Sequence, residues 1–419
     1  MPAPASATPA TVHWHEADEP RTARWHSERG APPPRRVQLA DDTLAADAAL
    51  RLANEGVGLL WRGDFQNARH LLQALARRVD RPRRARPARR QAAPASPDSD
   101  PAAAFHRHRQ AQAQRARVLG AVLIELQADR CIALRRAPDW REAIAEAWGA
   151  AAGPDEGDRG STVVALRELL GLVGAHEWRR RGVPIAALGP PPHNRIHPHY
   201  GVFSPVRGEY LQLVADAPLP AATAGPGGAT AFDIGTGTGV LAALLARRGL
   251  QVVATDTDAR ALACAADNLA RLGLAAQVQV QAMDLFPPGR AALVVCNPPW
   301  LPARPGAPLE RAVYDEGSGM LRGFVQGLAQ HLAPGGEGWL ILSDLAEHLG
   351  LRRRDELLGW LQQAGLRVLG RLDARPQHPK ALDPGDPLHA ARTAEVTSLW
   401  RLGVVDDAQP APRQQDPHV

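Results

Sequence analysis

The chain has 419 residues, 45% hydrophobic and 22% charged, which suffices for one large domain and a smaller one, although 38 glycines and 38 prolines argue that some stretches are not packed. Its net charge of +5 permits an acidic partner such as RNA, yet the bases are arginine almost throughout, with Lys380 the single lysine, and a GC-rich genome accounts for that profile equally well. No apolar run approaches the roughly 20 residues that span a bilayer, no charged-then-apolar leader opens the chain, and the scattered Cys131, Cys264 and Cys296 form no metal-ligand pair and suit a reducing cytosol, so the expectation is a cytoplasmic protein with no membrane partner and no metal.

Residues 1–40 are rich in Pro, Arg, Ala and His and read as a disordered tail. Leu44, Ala48, Leu52, Val57, Leu59 and Leu60 have spacing compatible with a helix, and Phe65, Ala68, Leu71, Leu72 and Leu75 make a second one after Gly63-Asp64. The segment 80–102, with its Arg-Pro-Arg-Arg-Ala-Arg-Pro-Ala-Arg-Arg run, reads as a solvated insertion; its arginines could grip phosphates or be a charged linker. Helical signals resume over 102–185, where Asp139 is placed to cap a helix carrying Trp140, Ile144 and Trp148. The expectation for 41–185 is an α-helical N-terminal domain.

Next comes a histidine-rich stretch, His193-Asn-Arg-Ile-His-Pro-His-Tyr200-Gly-Val-Phe203-Ser-Pro-Val-Arg207. Pro192 and Pro198 work against the helix that would align His193 with His197 for a metal. A polar substrate loop leading into the following domain fits better, with Tyr200, Phe203 and Arg207 at a pocket rim. From there strand signals (230–234, 251–255, 277–281, 291–296, 337–343, 366–373, 394–402) alternate with helix signals (239–248, 259–272, 317–333, 351–364). Such alternation implies a Rossmann-like, doubly wound α/β domain over 186–403, with seven strands, mostly parallel. The last two strands lack a helix between them and should form a hairpin that adds one antiparallel strand. Residues 404–419 read as a second disordered tail.

Chemistry gathers between Ala231 and Trp300. Asp233 ends the first strand, and Gly235-Thr236-Gly237-Thr-Gly239 makes a turn of little bulk at a helix start, where a ligand can approach backbone N–H groups. The spacing is G-x-G-x-G, which counts against the dinucleotide G-x-G-x-x-G. Asp256, followed by Thr257, ends the second strand, where an acid can accept both hydroxyls of a ribose, while Asp258 is free to cap the next helix. Asp284 or its neighbour Leu285 follows the third strand on the side of an adenine. A lone strand-end Asp is more often a cap, but three in succession are not explained by capping alone.

Asn297-Pro298-Pro299-Trp300 follows the buried run Leu293-Val-Val-Cys296. The prolines fix φ and so help to aim the Asn297 side chain and the Pro298 carbonyl. Both oxygens are acceptors that can hold the two hydrogens of an –NH2 conjugated with an sp² system, and Trp300 offers a face for stacking it. A proline-rich turn after a strand is the bland alternative.

These residues carry a family resemblance. The stretch 190–403 resembles a class I S-adenosylmethionine-dependent methyltransferase, with Asp233 to Gly239 similar to its glycine motif, Asp256 to its ribose acid and Asp284 to its adenine-side acid. Asn297 to Trp300 resembles the signature of enzymes that methylate base amino groups or the glutamine amide, with Trp where Tyr or Phe is commoner. The nearest likeness is to the HemK-like release-factor glutamine methyltransferases and the "small domain" rRNA guanine methyltransferases, and Tyr314-Asp315-Glu316 is similar to the segment after the signature in the first group. The resemblance implies S-adenosyl-L-methionine as cofactor and N-methyl transfer, with Asn297, Pro298, Pro299 and Trp300 in the catalytic role and Tyr314 at the pocket rim. An RNA base, by nucleic-acid binding, is the first acceptor expected, a glutamine of a translation-related protein the second, and a non-catalytic cofactor-binding module the third.

Overall fold

The computed structural model describes residues 10–81, 100–149, 160–205, 208–224, 228–306, 308–376 and 383–405. The chain divides into two compact units, Met1–Arg180 with Gly306–Pro308, and Arg181–Pro305 with Leu309–Val419.

The first unit is not helical throughout. It holds six strands, β1 (Thr11–Glu16), β2 (Glu19–His26), β3 (Arg36–Ala40), β4 (Val57–Trp61), β5 (Val122–Leu126) and β6 (Thr162–Ala165), in the order β1-β2-β6-β5-β4-β3. Two expectations are corrected here. Within the tail expected over 1–40, Thr11–Glu16 alternates strictly, with Val12 and Trp14 buried and Thr11, His13 and His15 exposed. That period of two marks a half-buried strand, and the surrounding Pro, Arg and His had masked it. Within 41–185, helices do form at Ala46–Asn54, Phe65–Asp80, Pro101–Leu119, Arg141–Trp148 and Leu166–Arg181. The runs Val57-Gly-Leu-Leu-Trp61 and Val122-Leu-Ile-Glu-Leu126 are central strands instead, because a short apolar run has no periodicity that separates buried strand from buried helix. The sheet curls: Val12 and Trp14 of one edge share a core with Val37 and Leu39 of the other. Arg62, just after β4, forks onto Glu16 at 2.7 Å through both Nε and Nη2 and also reaches Glu125 at 2.8 Å. Most of the arginine-rich run, residues 82–99, lies outside the described residues, as do 1–9 and 406–419 of the two expected tails.

The second unit opens with a short antiparallel pair, β7 (Val183–Pro184) and β8 (Arg195–Ile196). Its main sheet comprises β9 (Thr230–Ile234), β10 (Gln251–Asp256), β11 (Val278–Ala282), β12 (Ala291–Cys296), β13 (Leu332–Ser343), β14 (Leu366–Ala374) and β15 (Thr397–Val404), ordered β11-β10-β9-β12-β13-β15-β14. The five strands from β11 to β13 run parallel; β15 lies antiparallel between β13 and β14. This is the expected doubly wound sheet with its final hairpin.

Burial on both faces explains why its strands are continuous apolar runs rather than alternating ones. Ala231 of β9, Leu293 and Val295 of β12, and Trp339 and Ile341 of β13 enter the core under the helix Val240–Arg247. Their neighbours Phe232, Ile234, Val294, Cys296, Leu340 and Leu342 enter the opposite core, under the helices Gly319–His331 and Arg354–Gln363. Each such aliphatic side chain contributes about 1.5–3 kcal/mol on burial. Among the described residues no helix is long and apolar enough to cross a membrane.

Candidate active site

The register decides what meets at the sheet's carboxyl edge. Asp233 aligns with Ala254 and Val295, and Cys296 with Ile234 and Leu340. The glycine turn, Asp256 and Asn297 therefore leave three adjacent strands at one level. Strand order reverses between β9 and β12, and such a switch point is where open α/β sheets bind ligands.

The turn is held from below and from the side. Gly235 N and Thr236 N both donate to Thr255 O at 2.9 Å, and Gly239 N donates to Thr236 O. Gly237 has φ of +54°, and a Cβ there would meet nothing within 4 Å, so the turn presents bare backbone to open space. Gly239 has φ of +79°, and a Cβ would press on the backbone of Ala265 at 3.1 Å, so this glycine serves helix packing.

Asp233 is buried under the turn and does not face outward. Its Oδ2 accepts from Thr236 Oγ1 at 2.7 Å and from Ala242 N at 3.0 Å. Gly239 is the N-cap residue of the helix Val240–Arg247 and has no side chain, so Asp233 caps that helix from the preceding strand. Its Oδ1 is buried with no partner among the described residues. Burial, only partly offset by those two hydrogen bonds, pushes its pKa up to about 6. The folded state thus holds this proton more tightly than the unfolded chain does. The resulting stabilisation is complete below pH about 4 and is lost as pH rises through about 6, leaving a cost on the order of 3 kcal/mol at pH 8. Asp233→Asn keeps an acceptor and removes the charge. Its unfolding free energy relative to the parent should therefore improve from pH 4 to about pH 6 in urea melts and then level off toward pH 8; a difference flat across the whole range would show that the buried charge is not what matters.

Asp256 is half-buried and turned toward the loop. Its Oδ2 accepts from Gly237 N and its Oδ1 from Asp258 N, each at 3.0 Å. A carboxylate has about four acceptor positions, so sites remain for two hydroxyls. Asp258 caps the helix Ala259–Arg271 by accepting from Arg260 N at 2.8 Å. Thr257 and Asp284 are exposed. Leu285 is half-buried with φ of +59°, and its carbonyl accepts from Thr255 Oγ1 at 2.6 Å, which stitches the loop after β11 to β10.

Asn297 and Trp300 touch. The indole Nε1–H donates to Asn297 Oδ1 at 2.9 Å. Trp300 is half-buried and packs against both cores of the sheet, Pro298 is buried and Pro299 half-buried. The sequence suggested a stacking face for Trp300; the structure adds a donor that fixes the carboxamide. Next to it, Leu301 bridges Tyr314, and Asp315 accepts from Met320 N and Leu321 N at 3.1 and 3.2 Å, capping the helix Gly319–His331. Asp315 and Met320, which lies where a Gly235 Cβ would go, were missed as site neighbours; the resemblance at 314–316 was the one signal.

The histidine-rich loop is bolted down rather than free-standing. His197 N donates to Asn268 Oδ1 at 2.7 Å, and His199 Nε2 pairs with Asp267 at 3.2 Å. Arg260 lies over the Tyr200 ring at 5.9 Å. Phe203 is 40% exposed, and Arg207 lies outside the described residues. Among the described residues no group of three His, Cys, Asp or Glu is placed to hold a metal.

Residues 195–354 match the family described as the methyltransferase small domain. The release factor glutamine methyltransferase of Cereibacter sphaeroides is 35% identical over 165 residues, covering 35% of this chain and 57% of that one. The ribosomal RNA small subunit methyltransferase C of Alcanivorax borkumensis is 35% identical over 112 residues, covering 26% of this chain and 31% of that one. Each match spans less than two thirds of the curated relative's length. A solved ribosomal protein L11 methylase from Lactobacillus delbrueckii is 18% identical with a TM-score of 0.30, covering 43% of this chain and 72% of that one. Residues 195–354 thus match the methyltransferase small domain, and the curated relatives similar to this stretch are methyltransferases.

Proposed function

We propose that the chain methylates a planar nitrogen, and that the acceptor is the side-chain amide of a glutamine in a translation-related protein. The observation that carries the reaction type is the Asn297 carboxamide, aimed by Trp300 at the same edge as the glycine turn and Asp256. What supports glutamine is the likeness to release factor glutamine methyltransferases.

The residues present fit S-adenosylmethionine. Gly237 leaves open space over the turn, Asp256 retains acceptor positions for ribose hydroxyls, and the edge acids Asp256, Asp258 and Asp284 suit a cation. When bound, this cofactor supplies a methyl group activated on a sulfonium. Asn297 Oδ1 can take a second hydrogen bond beside that of Trp300 and so hold one hydrogen of an –NH2. The prolines restrict where the Asn297 side chain and the Pro298 carbonyl point. Orientation of this kind accounts for up to roughly 7–11 kcal/mol of a barrier. No general base is required if the nitrogen gives its proton to solvent after transfer.

Trp300→Phe keeps an aromatic face and removes the donor. It should lower kcat by about 10-fold, the worth of one hydrogen bond that fixes a reacting geometry, and leave cofactor affinity within two-fold of the parent. An unchanged kcat would mean that Asn297 needs no such support.

The second reading, an RNA base, is favoured by one observation. Arg77, Arg81, Arg107 and Arg117 are exposed on and beside the helices Phe65–Asp80 and Pro101–Leu119 of the first unit. Calorimetric titration with S-adenosylmethionine, then transfer of tritiated methyl onto fractionated protein and RNA, separates the readings. Label in protein supports the proposal and label in RNA moves the acceptor to a base. Binding without transfer to either leaves a cofactor-binding module.

A further inference from the structure

Three arginines follow one another after β13. Arg353 pairs with Asp355, and Arg354 bonds both oxygens of Glu347 at 2.8 Å. Arg352 is different. It is only 3% exposed, and its Nε, Nη1 and Nη2 are all buried with no hydrogen-bond partner among the described residues. The loop that carries it is pinned, since Leu351 N and Arg352 N both donate to Ala346 O, at 2.8 and 3.3 Å. A buried guanidinium with no partner costs several kcal/mol, and burial pulls its pKa below the ordinary arginine value.

The carboxylates around it are committed elsewhere. Both oxygens of Asp315 cap the helix Gly319–His331, Glu347 belongs to Arg354, and Glu356 is exposed on the helix Arg354–Gln363. Arg354 is the other cation in that group. Five donors in a planar fork are thus left for an anion from outside.

Position says which molecule brings that anion. β13 is the neighbour of β12 on the side away from the glycine turn. Arg352 itself lies nine residues past the end of β13, beyond the short helix Leu345–His348, and feels the charge of Asp315, whose N donates at 2.9 Å to the carbonyl of Leu301, next in the chain to Trp300. That is the side of an acceptor and not of the cofactor's adenosine. We propose that Arg352 is an acceptor-recognition site, whose guanidinium takes a carboxylate of the protein that presents its glutamine to Asn297. This rests on the glutamine reading above. A carboxylate suits the surroundings better than a phosphodiester strand, because Asp315, Glu347 and Glu356 would repel every phosphate of a polyanion but only one charge of a protein. The planar fork also matches a carboxylate bidentately.

The test uses the full chain and its melting curve. The transition of the sheet domain is identified as the one that S-adenosylmethionine raises. In chloride buffer, Arg352→Met should raise that transition, since a buried unpaired charge is replaced by an apolar chain of similar length. Sodium acetate at constant ionic strength should raise the parent's transition by about 2 °C or more and leave Arg352→Met unmoved. Arg352→Lys keeps the charge without the fork; it should fold and lose at least half of the acetate response. A parent indifferent to acetate, a Lys variant that responds in full, or a Met variant with a lowered transition overturns the site. A response to sodium phosphate in place of acetate overturns the carboxylate and points to RNA. If S-adenosylmethionine shifts no transition, the cofactor reading fails instead, independently of Arg352.

Discussion

Asn297→Ala should lower kcat by at least about 100-fold while the dissociation constant for S-adenosylmethionine stays within two-fold. Removing a single preorganised polar group that acts on the reacting atoms costs that much in comparable sites. The side chain can be lost without unfolding the domain, because Asn297 lies beyond the last residue of β12 and its side chain is held by a hydrogen bond from Trp300. Loss of that bond leaves the indole N–H of half-buried Trp300 without this acceptor, a penalty of about 1 kcal/mol. Separation of the two readouts is the informative part. A variant that loses affinity and turnover together would place Asn297 in the cofactor cradle, and one with full turnover would remove it from the site.

The second large effect is at Gly237. Replacing it by leucine should weaken cofactor binding by at least about 100-fold, since an isobutyl group would stand in the open space over the turn, where we propose that the cofactor contacts backbone. The folded domain should lose only about 1–2 kcal/mol, from a side chain held at φ of +54°. Gly338→Ala makes the contrast. Its Cβ would overlap the side chain of Leu328 in the core, so it should destabilise the domain and leave affinity intact in the fraction that folds. Equilibrium dialysis and urea melts on both variants distinguish a cradle from a packing site; equal binding by Gly237→Leu and the parent would mean that the turn does not hold the cofactor.

Much of the sheet domain was legible because its pattern is redundant. Leu293 to Cys296 reads as a buried strand by composition, and the register then brings Gly235, Asp256 and Asn297 to one edge with no further information. Asp233 shows where residue-by-residue reading stops. Its place at a strand end marks it as important, but only coordinates show that it is buried beneath the turn and caps a helix whose own N-cap is a glycine. Thr11 to Glu16 carried a clear alternation that composition hid, and Val57 to Trp61 carried an apolar run that fits either structure. Arg352 left no trace at all, because three adjacent arginines look alike until the fold buries one of them.

The proposed methyl transfer to an amide nitrogen oriented by Asn297 is tested by tritiated methyl transfer onto the protein fraction of a cell extract, followed by acid hydrolysis of the labelled product. Hydrolysis of an N-methylated side-chain amide frees methylamine, so the account predicts volatile tritiated base from the parent enzyme and essentially none from Asn297→Ala. Label that stays fixed on the hydrolysed residues, or equal release by both enzymes, would contradict it.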